Sequence, residues 1–113
     1  METSEIRKEK AHIIVEIIEY VPNAVVSKTI VKKTTGNITV SSVAADEKLA
    51  ATTSPYDTFI QIIDGTAEVK INNNLYELRL GEGIIIPAHT IQHFDAHEQF
   101  KMISTVIKSG HED

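Results

Sequence analysis

The chain contains no cysteine, so disulfide staples and thiolate metal sites are excluded and a reducing compartment suits it. Tryptophan is absent too, and aromatic residues make up only 5% of the chain, so the core must be built from aliphatic side chains. Positive charge is scarce: 11 Lys and Arg stand against 16 Asp and Glu, a net charge of −5. Beyond Arg7–Lys10 there is no basic cluster, which argues against a nucleic-acid partner. No apolar run approaches the ~18 residues of a membrane span. The opening Met-Glu-Thr-Ser-Glu is too charged for a signal peptide. Neither an internal repeat nor a low-complexity segment is present. The expectation is a cytoplasmic protein with no membrane partner.

What remains is a chain of 113 residues, long enough for one domain, with Ile and Val in short runs that favour strands. The reading divides it into an N-terminal arm (1–22), a domain (23–109) and a C-terminal tail (110–113). In the arm, Ile14, Ile17, Ile18 and Val21 recur at helical spacing, although the same run is β-branched enough for a strand. Pro22-Asn23 ends it. Strands are expected over Val25–Lys33 and Ile38–Ala44, the latter with Ile38, Val40, Ser42 and Ala44 on one face. Asp46 to Tyr56, with Thr-Thr-Ser-Pro, reads as a loop. Thr58–Ile63 follows, closed by Asp64-Gly65 as a hairpin into Thr66–Asn72. Leu75–Leu80, Ile84–Ile86, Ile91–Ala96 and Phe100–Lys108 complete an all-β sandwich or barrel.

Gly81-Glu-Gly-Ile-Ile-Ile-Pro87-Ala-His-Thr-Ile-Gln-His93 carries the strongest family signal. It resembles the second motif of the cupins, in which a glycine, five residues and a proline lead to a second glycine and a histidine ligand. Gly81 and Pro87 fit, His89 stands where the second glycine belongs, and Gln92 occupies the ligand position, with His93 one residue late. Asp57–Gly65 followed by Thr66–Asn72 is similar to the end of the first cupin motif. The resemblance implies a jelly-roll barrel of two antiparallel sheets, preceded by a short helical or irregular arm, with a pocket inside. Counting back from Gly65 as the family motif does, the glutamate position is Thr58. The histidine positions are Thr52 and Ser54, or Ala51 and Thr53. Hydroxyls and an amide cannot supply the converging His and carboxylate ligands that a divalent metal needs, so no metal or other cofactor is expected.

His89, His93 and His97 recur every four residues, but in a strand His93, Asp95 and His97 share one face and Gln92, Phe94 and Ala96 the other. The face with Phe94 belongs inside. His12 and His111 read as surface residues, and Tyr56 and Tyr76 as rim or turn packing rather than ligand stacking. Two functions follow. One is a metal-free module that binds a small polar ligand through Thr52, Ser54, Thr58 and Gln92. The other is a metal-dependent isomerase or dioxygenase, in which a bulge after Pro87 turns His93 inward. Phe59 and Ile63, read as outward on their strand, need a cover from the arm or from a second copy. With the dimerisation that the resemblance implies, this predicts a homodimer.

Overall fold

The computed structural model describes residues 5–108. It contains β1 (Val25–Lys33), β2 (Gly36–Val43), β3 (Lys48–Thr52), β4 (Thr58–Gly65), β5 (Ala67–Ile71), β6 (Asn74–Leu78), β7 (Gly83–Ile86), β8 (Gln92–Asp95) and β9 (Phe100–Ile107). They form two antiparallel sheets, ordered β1-β2-β9-β4-β7 and β3-β8-β5-β6. This is the jelly-roll arrangement expected from the sequence. No helix among the described residues is long and apolar enough to cross a membrane.

The core lies between the sheets. Val43, Ile60, Ile62, Met102 and Phe100 from the larger sheet meet Ala67, Val69, Ile71, Leu78 and Phe94 from the smaller. Phe94 and Phe100 supply its aromatic contact, with ring centroids 6.3 Å apart. In each sheet, residues that are partners across strands share a face, so these buried residues fix which way every neighbour points.

Three expectations need correction. Residues 46–56 are not all loop: β3 lies within them, with Leu49 opposite Phe94. Its sequence, Lys-Leu-Ala-Ala-Thr, holds no Val or Ile, so it gives little strand signal of its own. Asp64-Gly65 is not a hairpin either. β4 pairs with β7 and β9, whereas β5 pairs with β6 and β8, so the chain changes sheets at Gly65. Turn chemistry fixes the bend but not the partner beyond it. A register irregularity between Ile62 and Asp64 also removes Ile63 from the outward alternation that begins at Phe59.

The N-terminal arm contains a single short 3-10 turn, Ile14–Glu16, in keeping with the short helical or irregular arm expected. β-branched residues are stiff at χ1 and weaken a helix this short. The arm lies instead along the outer face of the larger sheet, where the Tyr20 hydroxyl donates to the Asp64 carboxylate at 2.5 Å. Burial, and then that hydrogen bond and charge, push the Tyr20 phenol well above its ordinary value. The folded state thus holds this proton more tightly than the unfolded chain. Its contribution to stability is whole below pH ~10 and is lost as pH rises beyond that towards the folded pKa. Urea midpoints should fall above pH ~10, and Tyr20→Phe should flatten that fall; parallel pH profiles for the two proteins would refute the linkage.

Candidate functional site

The partners of β8 decide where the sequence-predicted residues point. Gln92 stands opposite Ile71, a core residue, and His93 opposite the exposed Lys70. Gln92 therefore faces into the barrel and His93 away from it. Thr52 is the partner of Gln92 on the other side and shares its inward face, though it is exposed at the barrel end. Thr58 stands between Ile86 and Val106, on the same face of β4 as Ile60 and Ile62. Ser54 lies outside any strand. Its hydroxyl accepts from the Tyr56 amide at 3.1 Å and its carbonyl from the His89 amide at 2.7 Å, so it braces two loops. Thr58 and Gln92 thus line the interior and Thr52 its exposed rim, while Ser54 serves the turn beside it.

The Gln92 amide is unusual. Its Oε1 is closed off from solvent and has no hydrogen-bond partner. An unpaired buried carbonyl oxygen costs about 1–3 kcal/mol, so its retention asks for a reason.

Sequence reading missed a second wall. Ser104 on β9 lies opposite Thr39 and Ile60, and Val106 opposite Asn37 and Thr58. Since Ile60 is in the core, Asn37, Thr39 and Ser104 also face inward, all half-buried. They were hidden because β2 mixes apolar and polar residues on both faces, so its own pattern does not choose. Pairing of Val43 with Phe100 and Ser41 with Met102 makes the choice. One end of the barrel therefore carries Asn37, Thr39, Thr52, Thr58, Gln92 and Ser104. These are four hydroxyls and two amides, with no acid, base or metal ligand among them. Such a set can hydrogen-bond a ligand, but it does not fit the divalent metal that the family pattern implies.

The turn after Pro87 explains the missing glycine of the motif. His89 adopts φ +67, the left-handed conformation that glycine takes without strain and histidine tolerates better than most residues. The Ala88 amide donates to Asp57 Oδ1 at 2.8 Å and secures the turn to the start of β4. With Gln92 in register, no extra residue swings His93 inward.

His93 and His97 belong to the outer face of the smaller sheet. His97 Nε2 lies 3.0 Å from Glu68 Oε1, and His93 Nε2 3.8 Å from Asp95 Oδ2. A cleft of about 230 Å³ there is lined by Glu68, Glu77, Asp95, His97 and Glu98 with Thr66 and Ala67. Among the described residues, no group of three or more His, Asp or Glu is arranged to hold a metal. His12 Nε2 lies 3.0 Å from the Arg7 carbonyl, and His111 lies outside the described residues. Tyr76 is 40% exposed on β6, opposite Val69.

No protein-family model and no curated protein matches the sequence. Solved structures do. A conserved protein of unknown function from Streptococcus pyogenes, SPY1581, is 27% identical, with a TM-score of 0.87 over 92% of this chain and 91% of its own. A cupin superfamily protein from Desulfitobacterium hafniense, DSY2733, is 22% identical, with a TM-score of 0.85 over 93% and 95% of the two chains. A Cupin 2 conserved barrel domain protein from Leptotrichia buccalis is 26% identical, with a TM-score of 0.80 over 83% of this chain and 46% of that one.

Proposed function

We propose that this chain, a small single-domain cupin with degenerate metal-binding motifs, is a metal-free module that binds a small neutral ligand at the polar end of its barrel. The observation that carries this reading is the inward Gln92, whose buried Oε1 has no partner although both sheets turn hydroxyls towards the same end. A ligand N–H or O–H would supply the missing bond. Six uncharged groups supply no counter-charge for an anion or cation, which favours a neutral ligand. Thr39, Asn37 and Ser104 extend the contact set beyond Thr52, Thr58 and Gln92, so the ligand bridges the two sheets. Isomerase or dioxygenase chemistry through His93 has no support from the register, since that side chain faces away from the interior.

Gln92→Leu tests the reading through stability alone. A residue kept for a ligand sits at a local cost, so its replacement should raise the unfolding free energy of the ligand-free protein by about 1 kcal/mol. Loss of stability would mean that the amide serves the fold, and the reading would fail. Elemental analysis of the purified protein should show no stoichiometric Fe, Mn, Ni or Zn; finding one would favour the enzyme instead.

We further propose that the protein is a homodimer. The support is an uncharged row across the outer face of the larger sheet, from Ile38 through Thr105 and Phe59 to Ile85. Phe59 is 41% and Ile85 62% exposed, side by side and outside the reach of the arm's hydrogen bonds.

A further inference from the structure

The arm covers a polar row and leaves the apolar one open. Ser42, Lys101 and Asp64 are register partners across β2, β9 and β4, and each is bound by the arm. Ser42 Oγ donates to the Glu19 carbonyl at 2.9 Å. Lys101 Nζ donates to the Val15 carbonyl at 2.6 Å, with the Tyr20 ring centroid 4.9 Å away. Asp64 accepts from the Tyr20 hydroxyl. The lysine is only 9% exposed, and Ser42 is fully buried. Val40, one alternation further along the same outer face, is fully buried although it is not part of the barrel core.

Apolar anchoring of the arm is slight by comparison. Among the described residues of the arm, Ile18 alone is fully buried; Ile14, Val15 and Ile17 are half-buried, and Ile13 is 63% and Val21 43% exposed. An ammonium buried by a segment with so little apolar grip is held mainly through its own hydrogen bonds. Segments with few buried apolar contacts open locally, without unfolding of the whole domain.

We propose that the arm is a latched strap. Its closed state is held by the row Ser42–Lys101–Asp64, and its open state bares Lys101 and Val40 beside the Phe59 row. Lys101 is the latch because it bonds one carbonyl and faces the ring of a second latch residue. Opening adds a cation and an aliphatic side chain beside the uncharged Phe59 row. The strap thereby sets what the outer face offers to another molecule.

The absence of cysteine makes the test direct, since a single introduced thiol reports its own burial. Val40→Cys places it under the strap without touching the latch row, and Val43→Cys places it in the barrel core. Labelling with a soluble disulfide reagent should modify the thiol of Val40→Cys much faster than that of Val43→Cys. Adding Lys101→Met should speed the first by ~10-fold or more, the effect of losing one charged hydrogen bond, and leave the second unchanged. Equal rates at the two sites in both backgrounds would mean that the arm leaves only when the barrel unfolds, and would overturn the proposal. Hydrogen exchange by mass spectrometry gives a second measure should Val43→Cys fold poorly. Lys101→Met should then deprotect residues 13–21 and not β4; deprotection of both together would also overturn it.

Discussion

Gly65→Val should abolish cooperative folding. At this corner, where the chain passes from one sheet to the other, Gly65 has φ +76. A Cβ there would lie 2.3 Å from the Gln99 carbonyl oxygen and 3.0 Å from Phe100 Cα. The obstacle is backbone, so no side-chain rotation relieves it. Gln99 and Phe100 would have to move, and Phe100 is fully buried, packed against Phe94 and paired with Val43. The left-handed conformation alone costs an ordinary residue roughly 1–2 kcal/mol, and a β-branched one more. Displacing the best-packed aromatic of the core adds about 3 kcal/mol or more, against a total of ~5–15 kcal/mol for a domain. Gly81 separates the two causes. It has φ +86, but a Cβ there meets nothing within 4 Å. Gly81→Ala should therefore cost only the dihedral strain, about 1 kcal/mol, and Gly65→Ala clearly more. Urea unfolding followed by circular dichroism measures both, and equal losses would show that the approach to Gln99 is not what demands glycine.

Gly65 also marks the limit of what local sequence could reveal. Asp-Gly correctly signals a bend, but whether a bend makes a hairpin or a corner depends on which strands the chain meets next. Here β9 and β7, distant in sequence, take both edges of β4. Where flanking signals were local the reading was close: Thr-Thr-Gly-Asn follows Val25–Lys33, and those residues are β1. Alternation in β8 was legible because its two faces differ so plainly, Phe94 against a row of histidines and Asp95. β2 offered no such contrast. Its Val40 and Ser42 look like a core face and are buried, yet they face outward, where Ser42 is bound by the arm, an element the sequence left between helix and strand. That ambiguity hid Asn37, Thr39 and Ser104, half of the interior polar set, while Gln92 was found from its place after Gly81 and Pro87.

Phe59→Asp should turn the proposed dimer into a monomer at micromolar concentration. In an isologous interface, a residue near the two-fold axis meets its own copy or that copy's neighbours. A face that contacts itself must therefore avoid charge, especially in a chain whose net charge of −5 already sets two copies against each other. The row Ile38, Thr105, Phe59, Ile85 spans four of the five strands without a charge, and Ile107 adds a 54% exposed aliphatic beside it. Phe59 has the largest side chain in the row. Its ring lies against Gly83, where an added Cβ would come within 2.9 Å of Cζ, so Gly83 leaves the ring room to lie flat along the sheet. A buried aromatic at the centre of such a face has the character of a hot spot, worth about 2 kcal/mol or more, and an aspartate there adds repulsion between copies. Together these should weaken association by ~100-fold or more. The monomer fold should survive, because Phe59 is outward and 41% exposed before any partner arrives. Leu75→Asp provides the control: Leu75 is 61% exposed on β6, at the edge of the other sheet, and its change should leave the dimer intact. Light scattering that finds the parent monomeric, or Phe59→Asp still dimeric, would remove this face from the interface.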